Sequence, residues 1–157
     1  MIGIEIDNQS VRNLLSDLKG YDREAEKAIE KAVSDTSLAV QTDAKNRLRG
    51  MLGSDKHTIH GGAGLLGSIY NRIVGKMEKI VGSDKHYAPY IEFGTGDLVF
   101  TNFDFDNDAK EMAAQYKGKG IRKVNIRGDS FLNWAAVNQQ KKLIDRITNN
   151  LNKINRS

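Results

Sequence analysis

Apolar positions along the chain change period several times, and each change marks an element. Residues 2–6 read Ile-Gly-Ile-Glu-Ile, an alternation that predicts a half-buried strand. Asn8, Gln9 and Ser10 interrupt it. Val11, Leu14, Leu15 and Leu18 then recur at helical spacing, and Gly20 ends that short helix in the usual C′ role. Asp22 is placed to cap a second helix, with Glu24 and Glu26 in its first turn, where the helix dipole favours acids. Ala25, Ala28, Ile29, Ala32, Val33, Thr36, Val40, Ala44 and Leu48 trace one apolar or small stripe along it. Lys45, Arg47 and Arg49 precede a stop at Gly50. At about 28 residues this helix spans roughly 42 Å. Its alanines require a neighbour that packs close.

Glycines at 50, 53, 61, 62, 64 and 67 predict a flexible loop over 50–67. Residues 68–74 and 79–83 read as two strands joined by a hairpin turn at Gly75-Lys76-Met77-Glu78. The stretch from His86 to Phe93 holds the single proline, Pro89, and the large side chains Tyr87, Tyr90, Ile91 and Phe93. Gly94-Thr95-Gly96 ends it. A charged insertion over 97–128 follows. It contains a short helix at Asp108–Tyr116, a break at Lys117–Gly120 and a strand carrying Ile121, Val124 and Ile126. Asp129 or Ser130 caps a last helix whose face is Leu132, Ala135, Ala136, Leu143, Ile147 and Leu151. Lys141, Lys142 and Arg146 fall on its exposed side. The expectation is one α+β domain over 1–157: a small, mostly antiparallel sheet, a long helix packed across it and a C-terminal helix.

Composition narrows the function. The chain has 157 residues and no cysteine, which excludes disulfides, cysteine-held metals and thiol chemistry. No run of about 18 apolar residues is present, so no membrane span is expected, and the N-terminus has no basic start followed by an apolar stretch, so no signal peptide is expected. The net charge of +4 is unevenly placed. Residues 1–96 balance to zero. Asp97, Asp104, Asp106 and Asp108 form an acidic zone. Lys110, Lys117, Lys119, Arg122, Lys123 and Arg127 follow as a basic one, and 141–157 is basic again. Such zoning suits contacts between neighbouring subunits, a face turned to nucleic acid, or simply a solvated face.

Catalytic templates fail on specifics. The glycine run at 61–67 lacks the Lys-Ser/Thr pair of a phosphate loop. His57 and His60 have no further ligands near them, and His86 is distant, so no metal or cofactor is expected. Asp104-Phe-Asp106-Asn-Asp108 begins like a calcium loop, but Ala109 and Gln115 occupy the positions that need Gly and Glu. Arg127-Gly128-Asp129 matches a cell-adhesion tripeptide and reads more simply as a turn before a helix cap. Glu92, in its aromatic setting, would have a raised pKa if buried. With no partner group nearby in sequence it reads as a structural carboxylate. A hydrolase using Glu92 and His86 is the weakest of the functional readings, and the chain is not expected to be an enzyme.

The segment Tyr87-Ala88-Pro89-Tyr90-Ile91-Glu92-Phe93-Gly94-Thr95 resembles the Tyr-Ala-x-x-x-Glu-Phe-Gly-Thr signature of the gene-product-ten-like neck and tail-completion proteins of long-tailed bacteriophages. Gly64-Leu65-Leu66-Gly67-Ser68-Ile69 is similar to that family's Thr-Gly-x-Leu-x-x-Ser-Ile element. Val81-Gly82 precedes the signature as a family strand does. Phe131-Leu132, followed by Ala135 or Ala136, is similar to the start of its last helix, with Ser130 standing where the family usually has Pro. The likeness covers nearly the whole chain. It implies a structural subunit of the virion neck or tail top, made in the host bacterial cytoplasm. The subunit would form a ring, six-fold for a tail terminator or twelve-fold for a connector, between head connector and tail tube. Its partners would be copies of itself, head connector or adaptor proteins, tail tube or tail terminator proteins, and the genome DNA in the channel, with no membrane. The aromatic group around Phe93 would be core or an inter-subunit anchor. A non-sequence-specific DNA-binding protein is the alternative from another class.

Overall fold

In a computed structural model, residues 2–5, 23–52, 62–96, 107–116 and 127–154 are described. They form strands β1 (Ile2–Glu5), β2 (Ile69–Gly75) and β3 (Glu78–Ser83). The helices are α1 (Arg23–Leu52), α2 (Gly62–Ser68), α3 (Ala88–Phe93), α4 (Asn107–Tyr116) and α5 (Phe131–Ile154). The sheet has the order β1-β3-β2 with both pairings antiparallel, and helix α1 lies across it. This is the α+β arrangement expected, with α5 as the C-terminal helix against α1.

All nine residues of the predicted α1 stripe are buried. Its alanines let α5 approach closely. Ile29, Ala32 and Val33 meet Leu143 and Ile147 in one apolar cluster. Farther along, Val40, Ala44 and Leu48 join a larger cluster with Leu65, Ile69, Val81, Ala88, Ile91, Phe93, Ala113, Phe131, Leu132 and Ala135. α1 runs 30 residues, through Gly50 and on to Leu52, where the glycine was expected to stop it.

Two further expectations need correction. The flexible glycine-rich loop over 50–67 is wrong for its second part, because residues 62–68 are helical. Glycine disfavours a helix by about 1 kcal/mol each. Here tertiary packing overrides propensity: Leu65 is fully buried in the main cluster. The Ser68 hydroxyl donates back to the Leu65 carbonyl and also meets the Ser83 hydroxyl on β3 at 2.6 Å. Residues 53–61 lie outside the described residues, as do the expected helix at 11–18 and the expected strand through Ile121, Val124 and Ile126.

Arg146 was expected on the exposed side of α5. Instead it turns toward α1, donating to Thr36 Oγ1 at 2.9 Å and to Gln139 Oε1 at 2.7 Å. Gln139 in turn donates to Asp43. Thr36 and Gln139 are both buried, so this chain of bonds satisfies polar groups inside the helix–helix seam.

Candidate functional site

The signature stretch folds as α3 and the turn that follows it. Pro89 sits in the first turn of the helix, where its missing N–H costs nothing. Ala88, Ile91, Glu92, Phe93 and Thr95 are buried, whereas Tyr87 and Tyr90 are half-buried. Phe93 belongs to the main core cluster, which makes it core within the chain. His86 is exposed and meets Tyr87 edge-on at 5.4 Å between centroids. Gly94 follows with φ 88° and ψ −173°, a region essentially confined to glycine. Gly96 also has positive φ, at 59°.

Glu92 is the centre of the arrangement. Its carboxylate lies at the start of α5, some forty residues later in sequence. The Leu132 N–H donates to Oε2 at 2.9 Å and the Asn133 N–H donates to Oε1 at 2.8 Å. The Ser130 hydroxyl donates to Oε1 at 3.3 Å, and the Phe131 N–H also bonds to it. The first N–H groups of a helix have no partner inside it, and an anion there meets the positive end of the dipole. Ser130 occupies the N-cap position by backbone, since its carbonyl accepts the Trp134 N–H. Neither of the two expected capping side chains performs the task. Ser130 donates to Glu92, and Asp129 accepts from Arg47 Nε and Nη2. Burial pushes the Glu92 carboxyl up to about 7, against the downward pull of the Leu132, Asn133, Ser130 and Phe131 donors.

Docking between the two segments is reciprocal. The Asp129 N–H donates to the Ile91 carbonyl at 3.0 Å, and Gly94 and Arg127 form an antiparallel bridge. Between them Gly128 lies directly on the backbone of α3. A Cβ there would come within 2.3 Å of the Phe93 carbonyl carbon and 2.6 Å of the Gly94 nitrogen. The Arg-Gly-Asp tripeptide is therefore a packing unit. Its glycine permits backbone contact, and its aspartate holds Arg47 of α1, whose guanidinium also lies 4.6 Å over the Trp134 ring.

Of the other candidate residues only Arg127 and Asp108 are among the described ones, and Arg127 joins this group through its bridge to Gly94. Arg127 is exposed at the bridge, and Asp108 falls in α4. Asp97, Asp104, Asp106, Lys117, Lys119, Arg122 and Lys123 lie outside the described residues, as do His57 and His60. Among the described residues, no group of three or more His, Cys, Asp or Glu is placed to hold a metal ion, and no helix is long and apolar enough to cross a membrane. Gly128 and Arg47 escaped sequence reasoning. A glycine immediately before a predicted cap was the one available hint of a close approach. Comparison with protein-family models, curated proteins and solved structures finds no match to this chain.

Proposed function

We propose that the chain is a structural subunit of a phage neck or tail top, a tail-completion or head–tail joining protein that works as a ring. The observation carrying this reading is the junction built by the signature residues. Three adjacent positions of the signature have specific tasks here. Glu92 closes the start of α5, Phe93 fills the core, and Gly94 adopts a backbone conformation open to glycine. A motif whose Glu-Phe-Gly centre serves the fold supports shared architecture, as expected of a building block. Both oxygens of Glu92 are engaged by donors of α5 and its cap, which leaves this buried acid poorly suited to reaction chemistry.

The partners in this reading are copies of the chain, head connector or adaptor proteins, and tail tube or tail terminator proteins. The basic zones would face neighbouring subunits or passing DNA without reading base sequence. Imaging of intact particles tests it directly. Density for this fold in a six-fold or twelve-fold layer at the neck is expected. A chain absent from the particle, whose monomer binds duplex DNA with a steep salt dependence, would establish the DNA-binding alternative instead.

A further inference from the structure

Both outer strands of the sheet end without a neighbouring strand among the described residues. β2 is one edge and β1 the other, with β3 between them. The β2 edge carries Arg72 and two adjacent β-branched residues, Ile73 and Val74, which are 71% and 52% exposed. Adjacent residues of a strand point to opposite faces, so apolar surface shows on both sides of this edge. Soluble monomers usually protect such an edge with lysines, prolines or irregularities. β2 has one exposed charge, Arg72, and a bulge between Ile73 and Gly75 at its far end, which leave Ile73 and Val74 uncovered among the described residues.

The two edges are matched in direction and charge. β1 and β2 each run antiparallel to β3, so they are parallel to one another. Their registers share rows: Gly3, Gly82 and Tyr70 form one, and Glu5, Ile80 and Arg72 another. If those rows continued into a second molecule, its Glu5 would fall beside Arg72 of the first. The Arg72 guanidinium lies 4.8 Å over the Tyr70 ring, which limits its freedom before any such contact. Self-pairing of two β2 edges would lack this complement, since β2 contains an arginine and no acid.

We infer that β2 of one copy pairs in parallel with β1 of the next, continuing the three-stranded sheet from subunit to subunit, with Arg72 and Glu5 in one row across the joint. The contact is head-to-tail, using two different surfaces of each copy, and such contacts close into rings when the rotation allows. The inference rests on the ring reading above and names the surface that would build the ring.

The absence of native cysteine permits a clean test. Gly3 and Tyr70 of one chain are separated by two strand spacings, about 9.6 Å, and a disulfide cannot span more than about 7 Å between Cα atoms. Across the proposed joint the same two positions are one spacing apart. A Gly3→Cys/Tyr70→Cys variant, mildly oxidised after its circular dichroism is checked against the parent, should give a discrete ladder of covalent multimers. Either single-cysteine variant should stop at a dimer. In the cysteine-free chain, followed by native mass spectrometry, Glu5→Arg or Arg72→Glu alone should reduce the multimer population by about two- to fivefold at each joint. Combining the two should restore it. A folded double-cysteine variant that stays monomeric, or multimers indifferent to both charge reversals, would overturn the edge pairing. Rings that assemble without the cross-link would overturn this interface while leaving the ring reading standing.

Discussion

A single acidic side chain decides how α5 begins. Replacing Glu92 by Ala would leave the N–H groups of Leu132 and Asn133 and the Ser130 hydroxyl buried without their acceptor, at about 1–3 kcal/mol each. We expect a loss of at least about 3 kcal/mol in denaturant unfolding. The pH response has a definite sign. The carboxyl is pushed up to about 7 in the folded chain, against an ordinary value of 4.5. Between those values the unfolded chain releases a proton that the folded chain keeps, so this contribution to stability is full below 4.5 and declines as pH rises through 7. Glu92→Gln, which cannot titrate, should flatten that decline when unfolding is compared at pH 4.5, 6 and 8. Gly128 acts sterically. Gly128→Ala would place a methyl group against the Phe93 carbonyl, which cannot rotate away, and should cost about 3 kcal/mol in thermal or denaturant unfolding. Glu92 could be read from the sequence only as a structural acid, and Gly128 only as part of a turn. The partner of each lies about forty residues away, and no local period records that distance.

Elements were legible where a period is sustained. The α1 stripe is correct at every position because one face of a long helix must be apolar to be buried, and that need repeats every turn. The hairpin from β2 to β3 appears within a residue or two of its expected ends. α2 was hidden because its three glycines contradict its conformation, and the docking of Leu65 with the bonds of the Ser68 hydroxyl holds it. Arg146 was misplaced for a related reason. A long side chain on the flank of a helix can turn either way, and the deciding acceptors, Thr36 and Gln139, are polar groups the stripe does not advertise. Arg146→Ala should therefore destabilise the α1–α5 seam by about 2 kcal/mol. A double-mutant cycle with Thr36→Val should show the coupling between them, where a solvated arginine would show none.

For the whole molecule, the α+β architecture was readable because element types and order were, whereas the junction between α3 and α5 was not. The acidic and basic zones belong to this scale. Single exposed ion pairs contribute only about 0.2–1 kcal/mol. One reversed charge should thus leave assembly intact. Under the neck-subunit reading proposed above, reversing Lys117, Lys119, Arg122, Lys123 and Arg127 together should impair particle assembly, more so at low salt. Reversal of Asp97, Asp104, Asp106 and Asp108 in the same chain should rescue it if neighbours pair through these zones. Assembled particles that fail to deliver their genome would place the bases on the channel instead.

The reciprocal bonding of α3 and α5 also bears on how the chain opens. A helix normally frays from its first turn, and amides there exchange with solvent through small local openings. In α5 the first turn is bonded to a buried acid on another helix, and that helix in turn receives the Asp129 N–H. Neither end can loosen without breaking the other. The Leu132 and Asn133 amides should consequently exchange as slowly as the centre of α1, through global unfolding alone. Glu92→Ala should shift them to fast local exchange while the middle of α5 remains protected. The last helix would then behave as two segments of unequal permanence, where the native chain makes them one.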